Sequence, residues 1–237
     1  MTLVLAHRGA RRVAPENTLE AFRQARALGA DGVELDVHAT ADGVLLVDHD
    51  GAPDGVGPIA AATFAAARAA RPDIPALDEV LDECAGMLVN VEVKNLPNDP
   101  GYDPEHGMVD VLAALLEVRS TDNVLVSSFN LDTLDAFHAR LASVPTGYLV
   151  MGVPSLAEAV ELAAARGHQA VHPFVGMVLA EDPSDAVRAA HDAGVACNVW
   201  TVNEPDQMRA LAAAGAHSVI TDLPDLARSV LDSAPGS

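Results

Sequence analysis

The chain has 237 residues, half of them apolar, which is enough for one large α/β domain with a substantial buried core. Its 34 acidic and 14 basic residues give a formal net charge of −20, which argues against nucleic acids and anionic membranes as partners. No apolar run approaches the length of a membrane span. The first predicted strand begins close to Met1 and leaves no room for a signal peptide. Cys84 and Cys197 match no metal-binding spacing and are interpreted as small buried apolar residues, so we expect a cytoplasmic protein.

Short apolar runs alternate with helical patterns along the chain, which is typical of repeated βα units and a parallel sheet. The first predicted strand covers about residues 3–6 and is followed by His7 and Arg8. The next helix is predicted to have Asn17 as its N-cap, with Glu20 completing a capping box. This capping role for Asn17 is favoured over a contact with substrate.

The second predicted strand, about residues 32–37, carries two acids on one face. Side chains two positions apart on a strand point to the same side, so Glu34 and Asp36 lie together opposite an apolar face. After a turn, a further apolar run over residues 44–47 leads to His49. This strand-turn-strand extension can bring His49 back over the end of the barrel.

Residues 51–72 break the rhythm of strands and helices. Residues 51–58 are loop-like, and residues 59–70 form an Ala-rich insert that we expect to be helical. A helix over residues 77–84 then returns to the next principal strand, where Asn90, Glu92 and Lys94 share one face. Lys94 is the only lysine in the chain, which favours a site that needs a compact positive charge.

The remaining chain continues the alternation, with amphipathic helices predicted over residues 109–116 and 156–164. Counting from the first, the pattern contains eight principal strands. It therefore predicts an α/β fold, a TIM (β/α)8 barrel whose chemistry lies at the carboxyl ends of the strands. We expect residues 1–237 to form a single domain with a short insertion, 51–72, after the second strand.

Glu34, Asp36 and Glu92 supply three carboxylates from two strands. One strand of this kind is most simply a solvated edge, but two within a covered barrel favour a shared cation site. Oxygen ligands suit Mg²⁺ or Ca²⁺ better than softer metals. Three carboxylates against Arg8 and Lys94 leave a charge of −1, which would repel a phosphodiester, and a divalent cation reverses that sign.

His7 and His49 are the two histidines expected beside the acidic cluster. A pair of imidazoles can divide the work of base and acid near neutral pH. His38 follows the acidic strand and could support the site from behind. The remaining histidines, apart from His172 at a strand end, resemble surface or helix positions; they are His106, His138, His168, His191 and His217.

Four further residues at predicted strand ends are candidates for the substrate pocket: Ser127, Phe129, His172 and Trp200. Trp200 could pack over the carbon skeleton of a substrate or simply close the barrel core. A serine nucleophile is not expected, because no Gly-x-Ser-x-Gly turn surrounds Ser127 or its neighbour Ser128.

These motifs together resemble the glycerophosphodiester phosphodiesterase family. The resemblance spans nearly the whole chain in the family's order and is carried by His7-Arg8-Gly9, Pro15-Glu16-Asn17-Thr18, Glu34-Leu35-Asp36-Val37, His49-Asp50, Ile74-Pro75-Ala76-Leu77, Glu92-Val93-Lys94, Ser127-Ser128-Phe129, Trp200-Thr201-Val202-Asn203 and Thr221-Asp222-x-Pro224. It implies a TIM barrel that hydrolyses glycerophosphodiesters to glycerol 3-phosphate and an alcohol with Ca²⁺ or Mg²⁺.

The resemblance also implies roles for individual residues. Glu34, Asp36 and Glu92 match the metal ligands, His7 and His49 the acid-base pair, and Arg8 and Lys94 the phosphate contacts. The chain departs from the family after His49-Asp50, where an Arg-Thr-Thr-Asn-Gly-like segment and a longer insert are replaced by the sequence 51–57 and a short Ala-rich piece. The sequence therefore does not specify the leaving alcohol.

Two other functions fit the same sequence. One is a lysophospholipase D or sphingomyelinase D-like enzyme. The sequence argues against it because it contains no exposed apolar or basic segment that would suit a lipid substrate. The other is a barrel that binds phosphodiesters without hydrolysing them. The presence of both His7 and His49 argues against this function, because binding alone needs no proton transfer. We expect a small-molecule substrate in each case, and the sequence does not specify an oligomeric state.

Overall fold

Nine strands form one sheet in the computed structural model, which describes residues 1–152 and 155–233. In chain order the strands are β1 Leu3–His7, β2 Gly32–Ala39, β3 Leu45–Val47, β4 Leu88–Val93, β5 Val124–Ser128, β6 Thr146–Val150, β7 Ala170–Pro173, β8 Ala196–Val199 and β9 Ser218–Thr221. All neighbouring pairs are parallel except β2 with β3. Because β1 pairs with both β2 and β9, eight of the strands close into a barrel, and the TIM-barrel prediction is confirmed.

Helices follow the barrel strands and cover the outside of the sheet. They are α1 Leu19–Ala27, α2 Phe64–Ala70, α3 Leu77–Glu83, α4 Gly107–Glu117, α5 Leu131–Arg140, α6 Leu156–Ala165, α7 Val175–Val178, α8 Pro183–Asp192, α9 Pro205–Ala214 and α10 Pro224–Asp232. Among the described residues, no helix combines the length and apolar character that crossing a bilayer requires.

The core lies mainly between the strands and the surrounding helices. Two large apolar clusters combine strand residues with helix residues, for example Val91 of β4 with Leu112 and Leu116 of α4. These leucines are the buried stripe that the helical periodicity predicts. Cys84 and Cys197 are free and buried, as predicted, and burial raises the pKa of each thiol to about 12.

The insertion after β3 has its own small core. The insertion contains a single 3₁₀ turn, Ile59–Ala61, followed by α2, so the predicted helix is interrupted at Ala62 and Thr63. The buried residues of this small core come from β3, the insertion and the segment that follows it: Leu46, Ile59, Ala67, Ile74 and Ala76. The insertion is therefore packed against β3.

The predicted cap of α1 is wrong by one residue. Thr18 is the N-cap, and its hydroxyl accepts a hydrogen bond from the backbone N–H of Ala21 at 3.2 Å. Asn17 has φ +56 and turns inward, where its Nδ2 donates to Asp36 Oδ2 at 3.0 Å. Glu20 contacts Gln24 and Arg23 on the helix surface instead of completing a capping box.

The surface or helix position predicted for His168 is also wrong. The residue is 2% exposed and lies between α6 and β7, where its Nδ1 is 2.9 Å from the Thr146 hydroxyl. A single histidine between a helix and a short strand gave no periodic signal from which this burial could be predicted.

Candidate active site

Strand register brings the three acids of the sequence together at the carboxyl end of the barrel. Asp36 of β2 lies directly beside Glu92 of β4, and His7 at the end of β1 lies beside Glu34. Carboxylate oxygens of Glu34, Asp36 and Glu92 all lie within 4.8 Å of one another, and all three side chains are buried. Side chains alternate along β2 and β4, and the two strands are neighbours, so the acids of both strands form one acidic cluster.

Two cations face this cluster. Lys94 Nζ lies 2.9 Å from Asp36 Oδ1 and 2.5 Å from Glu92 Oε1. The backbone N–H of Arg8 donates to Glu34 Oε2 at 3.1 Å, and Arg8 Nε lies 3.4 Å from Asp36 Oδ2. The group therefore holds three acids and two cations, one positive charge short of neutrality.

Burial and mutual repulsion shift the pKa values of the acids. Desolvation, together with the charges of Asp36 and Glu92, raises the pKa of Glu34 well above its usual value. Desolvation raises the pKa of Glu92 to about 7, although Lys94 opposes the shift. Desolvation also acts on Asp36, but Lys94 and Arg8 outweigh it and lower its pKa.

This acidic cluster fits a hard divalent cation. The donor set is entirely carboxylate oxygen, which Mg²⁺ and Ca²⁺ prefer. Glu34 and Glu92 are costly to keep ionised in a buried site unless further positive charge is present, and a bound divalent ion would supply it. The residues present therefore match the ion that the sequence implies.

His7 is held by a carboxylate from the other end of the chain. Its Nδ1 lies 2.8 Å from Asp222 Oδ1, and its Nε2 lies 4.0 Å from Glu34 Oε2. Burial would raise the pKa of Asp222, but hydrogen bonds from His7 and Asn203 outweigh it and lower the pKa to about 2. Because an ionised aspartate only accepts, Nδ1 of His7 carries the proton and Nε2 is left for the cavity.

His49 has a similar partner in a more exposed setting. Its Nδ1 lies 2.6 Å from Oδ1 of Asp50, whose side chain is 81% exposed. The His49 side chain itself is 34% exposed and lines the same cavity as His7. Both histidines therefore use Nδ1 for their hydrogen bond to an aspartate and leave Nε2 without such a bond.

The site lies in a cavity of about 220 Å³ with two distinct halves. Residues from the first four strands, β1 to β4, and the segments that follow them form a charged half: His7, Arg8, Glu34, His49, Glu92 and Lys94. Residues from β5, β6, β8, β9 and the loops that follow form an apolar half: Phe129, Leu149, Met151, Trp200 and Ile220. This division suits a molecule with a charged centre and an organic substituent.

The four predicted pocket residues divide into two groups. Phe129 and Trp200 line the cavity, with ring centroids 5.6 Å apart in an edge-to-face arrangement. Ser127 and His172 do not line it; both are completely buried in the barrel. His172 Nε2 lies 3.0 Å from Asn198 Nδ2, and a Cβ at Gly147 would lie only 2.4 Å from that same nitrogen.

The sequence analysis missed the residues that hold the candidate groups in place. Asn17 donates to Asp36, Glu16 lies 2.8 Å from Arg8, and Asp222 orients His7. Asp222 was part of a family motif, but nothing in the local pattern connected it with a residue 215 positions earlier. The pairing of β1 with β9 supplies that connection.

Single exposed apolar residues occur on several loops at the mouth of the barrel. Met151, which lines the cavity, is 60% exposed, and Phe174, which packs on Trp200, is 37% exposed. Of the eight large apolar residues that are exposed in the described chain, five follow barrel strands at this end: Val13, Leu96, Tyr102, Met151 and Phe174.

Comparison with known proteins gives consistent matches over almost the whole chain. Residues 7–226 match the model of the glycerophosphoryl diester phosphodiesterase family. A glycerophosphodiester phosphodiesterase of Caldanaerobacter subterraneus subsp. tengcongensis is 32% identical over 242 residues, which cover 94% of this chain and 95% of that protein.

Solved structures share the fold. The glycerophosphodiester phosphodiesterase of Thermotoga maritima superposes with a TM-score of 0.83 at 28% identity, covering 97% of this chain and 98% of that one. A phosphodiesterase of Oleispira antarctica, solved with the product sn-glycerol-3-phosphate, superposes with a TM-score of 0.83 at 25% identity and covers 98% of both chains.

Proposed function

The chain belongs to the glycerophosphoryl diester phosphodiesterase family, and from this premise we propose that it hydrolyses glycerophosphodiesters to glycerol 3-phosphate and an alcohol with a bound divalent cation. The observation that carries the proposal is the acidic cluster of Glu34, Asp36 and Glu92 in one cavity with two histidines. The product bound to the Oleispira phosphodiesterase supports the same substrate class.

Glu34, Asp36 and Glu92 would hold the ion, either Mg²⁺ or Ca²⁺. When bound, it supplies positive charge that stabilises a phosphoryl oxygen as negative charge develops. Arg8 and Lys94 line the same half of the cavity and attract the phosphodiester. The arrangement gives an acidic protein a local positive site, which its net charge of −20 does not provide.

His7 and His49 divide the proton transfers. One imidazole removes the proton from the attacking oxygen, of water or of a substrate hydroxyl, as that oxygen bonds to phosphorus, and the other gives a proton to the departing oxygen as the old P–O bond breaks. Where a substrate hydroxyl attacks, the cyclic phosphate that forms is then opened by water through the same two proton transfers. His7 is the more rigid of the two, because Asp222 fixes its Nδ1 in a partly buried pair. The apolar half of the cavity, around Phe129 and Trp200, receives an organic part of the diester.

A lysophospholipid is a second candidate substrate, and the exposure of Met151 and Phe174 favours it. These side chains extend the apolar wall of Trp200 from the cavity towards the surface, where they could contact an acyl chain. Phe174→Ser should then slow hydrolysis of lysophosphatidylcholine more than that of glycerophosphocholine. Equal effects on both would reject the lipid substrate.

The direct test is a panel of diesters with the purified protein in Ca²⁺ or Mg²⁺. We expect glycerophosphocholine to yield glycerol 3-phosphate, detected with glycerol-3-phosphate dehydrogenase, and choline in equal amounts. Binding of the diesters without turnover under either metal would instead support the non-catalytic phosphodiester-binding barrel. Release of phosphocholine would show that the P–O bond to glycerol is cleaved, which would contradict the proposed reaction.

We also propose that residues 1–237 act as one barrel domain, with 51–72 as its insertion, in a reducing cytoplasmic compartment. The single closed sheet supports the first point, and the buried free thiols of Cys84 and Cys197 support the second. Fractionation of cells that express the tagged full chain tests the location.

A further inference from the structure

His49 lies on a tight turn that follows the short strand β3. None of the residues 51–72 is among those that line the cavity, although all of these residues are described. The insertion therefore does not contribute to the wall of this cavity. It packs instead against the turn at residues 48–51, and its contacts converge on the backbone that carries His49.

The first contact that holds this turn comes from β2, through His38. This side chain is 4% exposed, and its Nε2 lies 3.3 Å from the backbone carbonyl oxygen of His49. Because a carbonyl oxygen only accepts, Nε2 of His38 is the donor. The ring also packs under Gly51, where an added Cβ would lie 2.5 Å from Cε1 of His38 and where φ is +68.

The second contact runs through Asp48. Its Oδ1 accepts hydrogen bonds from the backbone N–H groups of Asp50 at 3.1 Å and Gly51 at 3.0 Å, which closes the turn around His49. Its Oδ2 lies 3.5 Å from Nη1 of Arg71, at the end of the insertion. The backbone N–H of Ile59 adds a bond to the Gly51 carbonyl oxygen at 2.8 Å.

We propose that His38 and Arg71 are positioning residues for His49, and that the 51–72 insertion serves as a support for this turn. The proposal rests on the function proposed above, in which His49 transfers a proton. Neither residue lines the cavity, so each acts through the turn and not on the substrate. The support explains why a short, packed insertion follows the histidine directly.

The test compares His38→Leu with His38→Gln in the full-length protein. Loss of the donor should lower kcat for glycerophosphocholine by on the order of 10²-fold, because small displacements of a reacting group are costly. KM and the Ca²⁺ affinity measured by calorimetry should stay unchanged. His38→Gln keeps an amide donor and should recover most of the kcat. His168→Leu removes an equally buried histidine outside the site and should leave kcat at the wild-type value.

Arg71→Leu provides a second arm in case His38→Leu fails to fold. It should lower kcat by roughly tenfold, because a displaced proton-transfer group loses part of its favourable geometry. The matched control is Arg68→Leu, since Arg68 lies in the same insertion but pairs with Glu79 and not with the turn. Equal losses in the Arg71 and Arg68 variants would overturn the proposal, as would a wild-type kcat in His38→Leu or an equal fall in Ca²⁺ affinity.

NMR distinguishes this inference from the proposed function. The Hε1 resonance of His49, assigned with His49→Asn, should shift or broaden in His38→Leu and keep its position in His38→Gln. Such changes in a protein that hydrolyses none of the diesters would reject the function while supporting the positioning role. An unchanged His49 signal in His38→Leu would reject the positioning role even in an active enzyme.

Discussion

Asp222 Oδ1 lies 2.8 Å from Nδ1 of His7, and the contact joins residues that are 215 positions apart in the chain. The backbone N–H of Asp222 donates to Oδ1 of Asn203 at 2.9 Å, and Nδ2 of Asn203 donates to Oδ2 of Asp222 at 2.8 Å. Both carboxylate oxygens are thus occupied, and the orientation of the His7 ring is fixed from behind. Because this contact forms only when the barrel closes, it can be tested without altering the acidic cluster.

Asp222→Asn should lower kcat for glycerophosphocholine by roughly 10²- to 10⁴-fold, as expected when an imidazole loses the carboxylate that fixes its tautomer. KM should change little, because Asp222 lies outside the cavity lining. Asp225→Asn is the matched control, since Asp225 is exposed in the first turn of α10. Comparable kcat values for the two variants would show that His7 does not need this partner.

Removal of the divalent ion should abolish turnover, and Ca²⁺ or Mg²⁺ should restore it. Glu92→Gln should be inactive and should lose the calorimetric signal of Ca²⁺ binding, because the buried cluster then offers only two carboxylates. Glu117→Gln, at the exposed end of α4, should keep both properties. Ca²⁺ should also raise the melting temperature of the wild-type protein and leave that of Glu92→Gln unchanged.

Asn17 and Thr18 should separate metal binding from helix capping. Asn17→Gly tolerates the positive φ but removes the donor to Asp36, so Ca²⁺ affinity should fall by about 10- to 100-fold with the fold intact. Thr18→Ala removes the cap of α1 and should lower the free energy of unfolding by about 1 kcal/mol without altering Ca²⁺ affinity. A loss of stability in Asn17→Gly and a loss of Ca²⁺ affinity in Thr18→Ala would instead support Asn17 as the cap.

The acidic cluster could be foreseen because its geometry follows from the backbone alone. Side chains alternate along any strand, so Glu34 and Asp36 must share a face, and parallel neighbours in a barrel place Glu92 beside them. The turn predicted after the acidic strand also indicated how a strand-turn-strand extension could return His49 to the barrel end. These inferences require only the order of strands and the direction of side chains.

The supporting contacts could not be foreseen because they depend on loop conformation. Asn17 and Thr18 are both residue types that cap helices, so the sequence does not show which of them is the N-cap. The positive φ of Asn17 turns its amide toward Asp36. The sequence suggested a supporting role for His38 but not its contact, in which the ring donates to a carbonyl oxygen in a turn eleven residues away. Exposure of Met151 and Phe174 is likewise set by the loops around the barrel mouth.

His172 should make stability depend on pH. It is completely buried, and burial lowers its pKa to about 3, so the folded protein keeps the ring neutral while the unfolded chain protonates near its ordinary pKa. The contribution of the neutral ring is therefore fully present above the unfolded pKa, roughly 6.5, and is lost as the pH falls below it. The expected slope is about 1.4 kcal/mol per pH unit between these two pKa values.

Urea unfolding at several pH values from 7.5 to 4.5 measures this effect as a difference between wild type and His172→Gln. The substitution adds a constant offset, since it changes the contact with Asn198, but it removes the titration. The stability advantage of the wild-type protein should therefore shrink steadily below about pH 6.5. His191→Gln, at an exposed position of α8, controls for the loss of a histidine from the surface. A difference between wild type and His172→Gln that stays constant with pH would mean that His172 takes up its proton without unfolding, which its enclosed position in the barrel argues against.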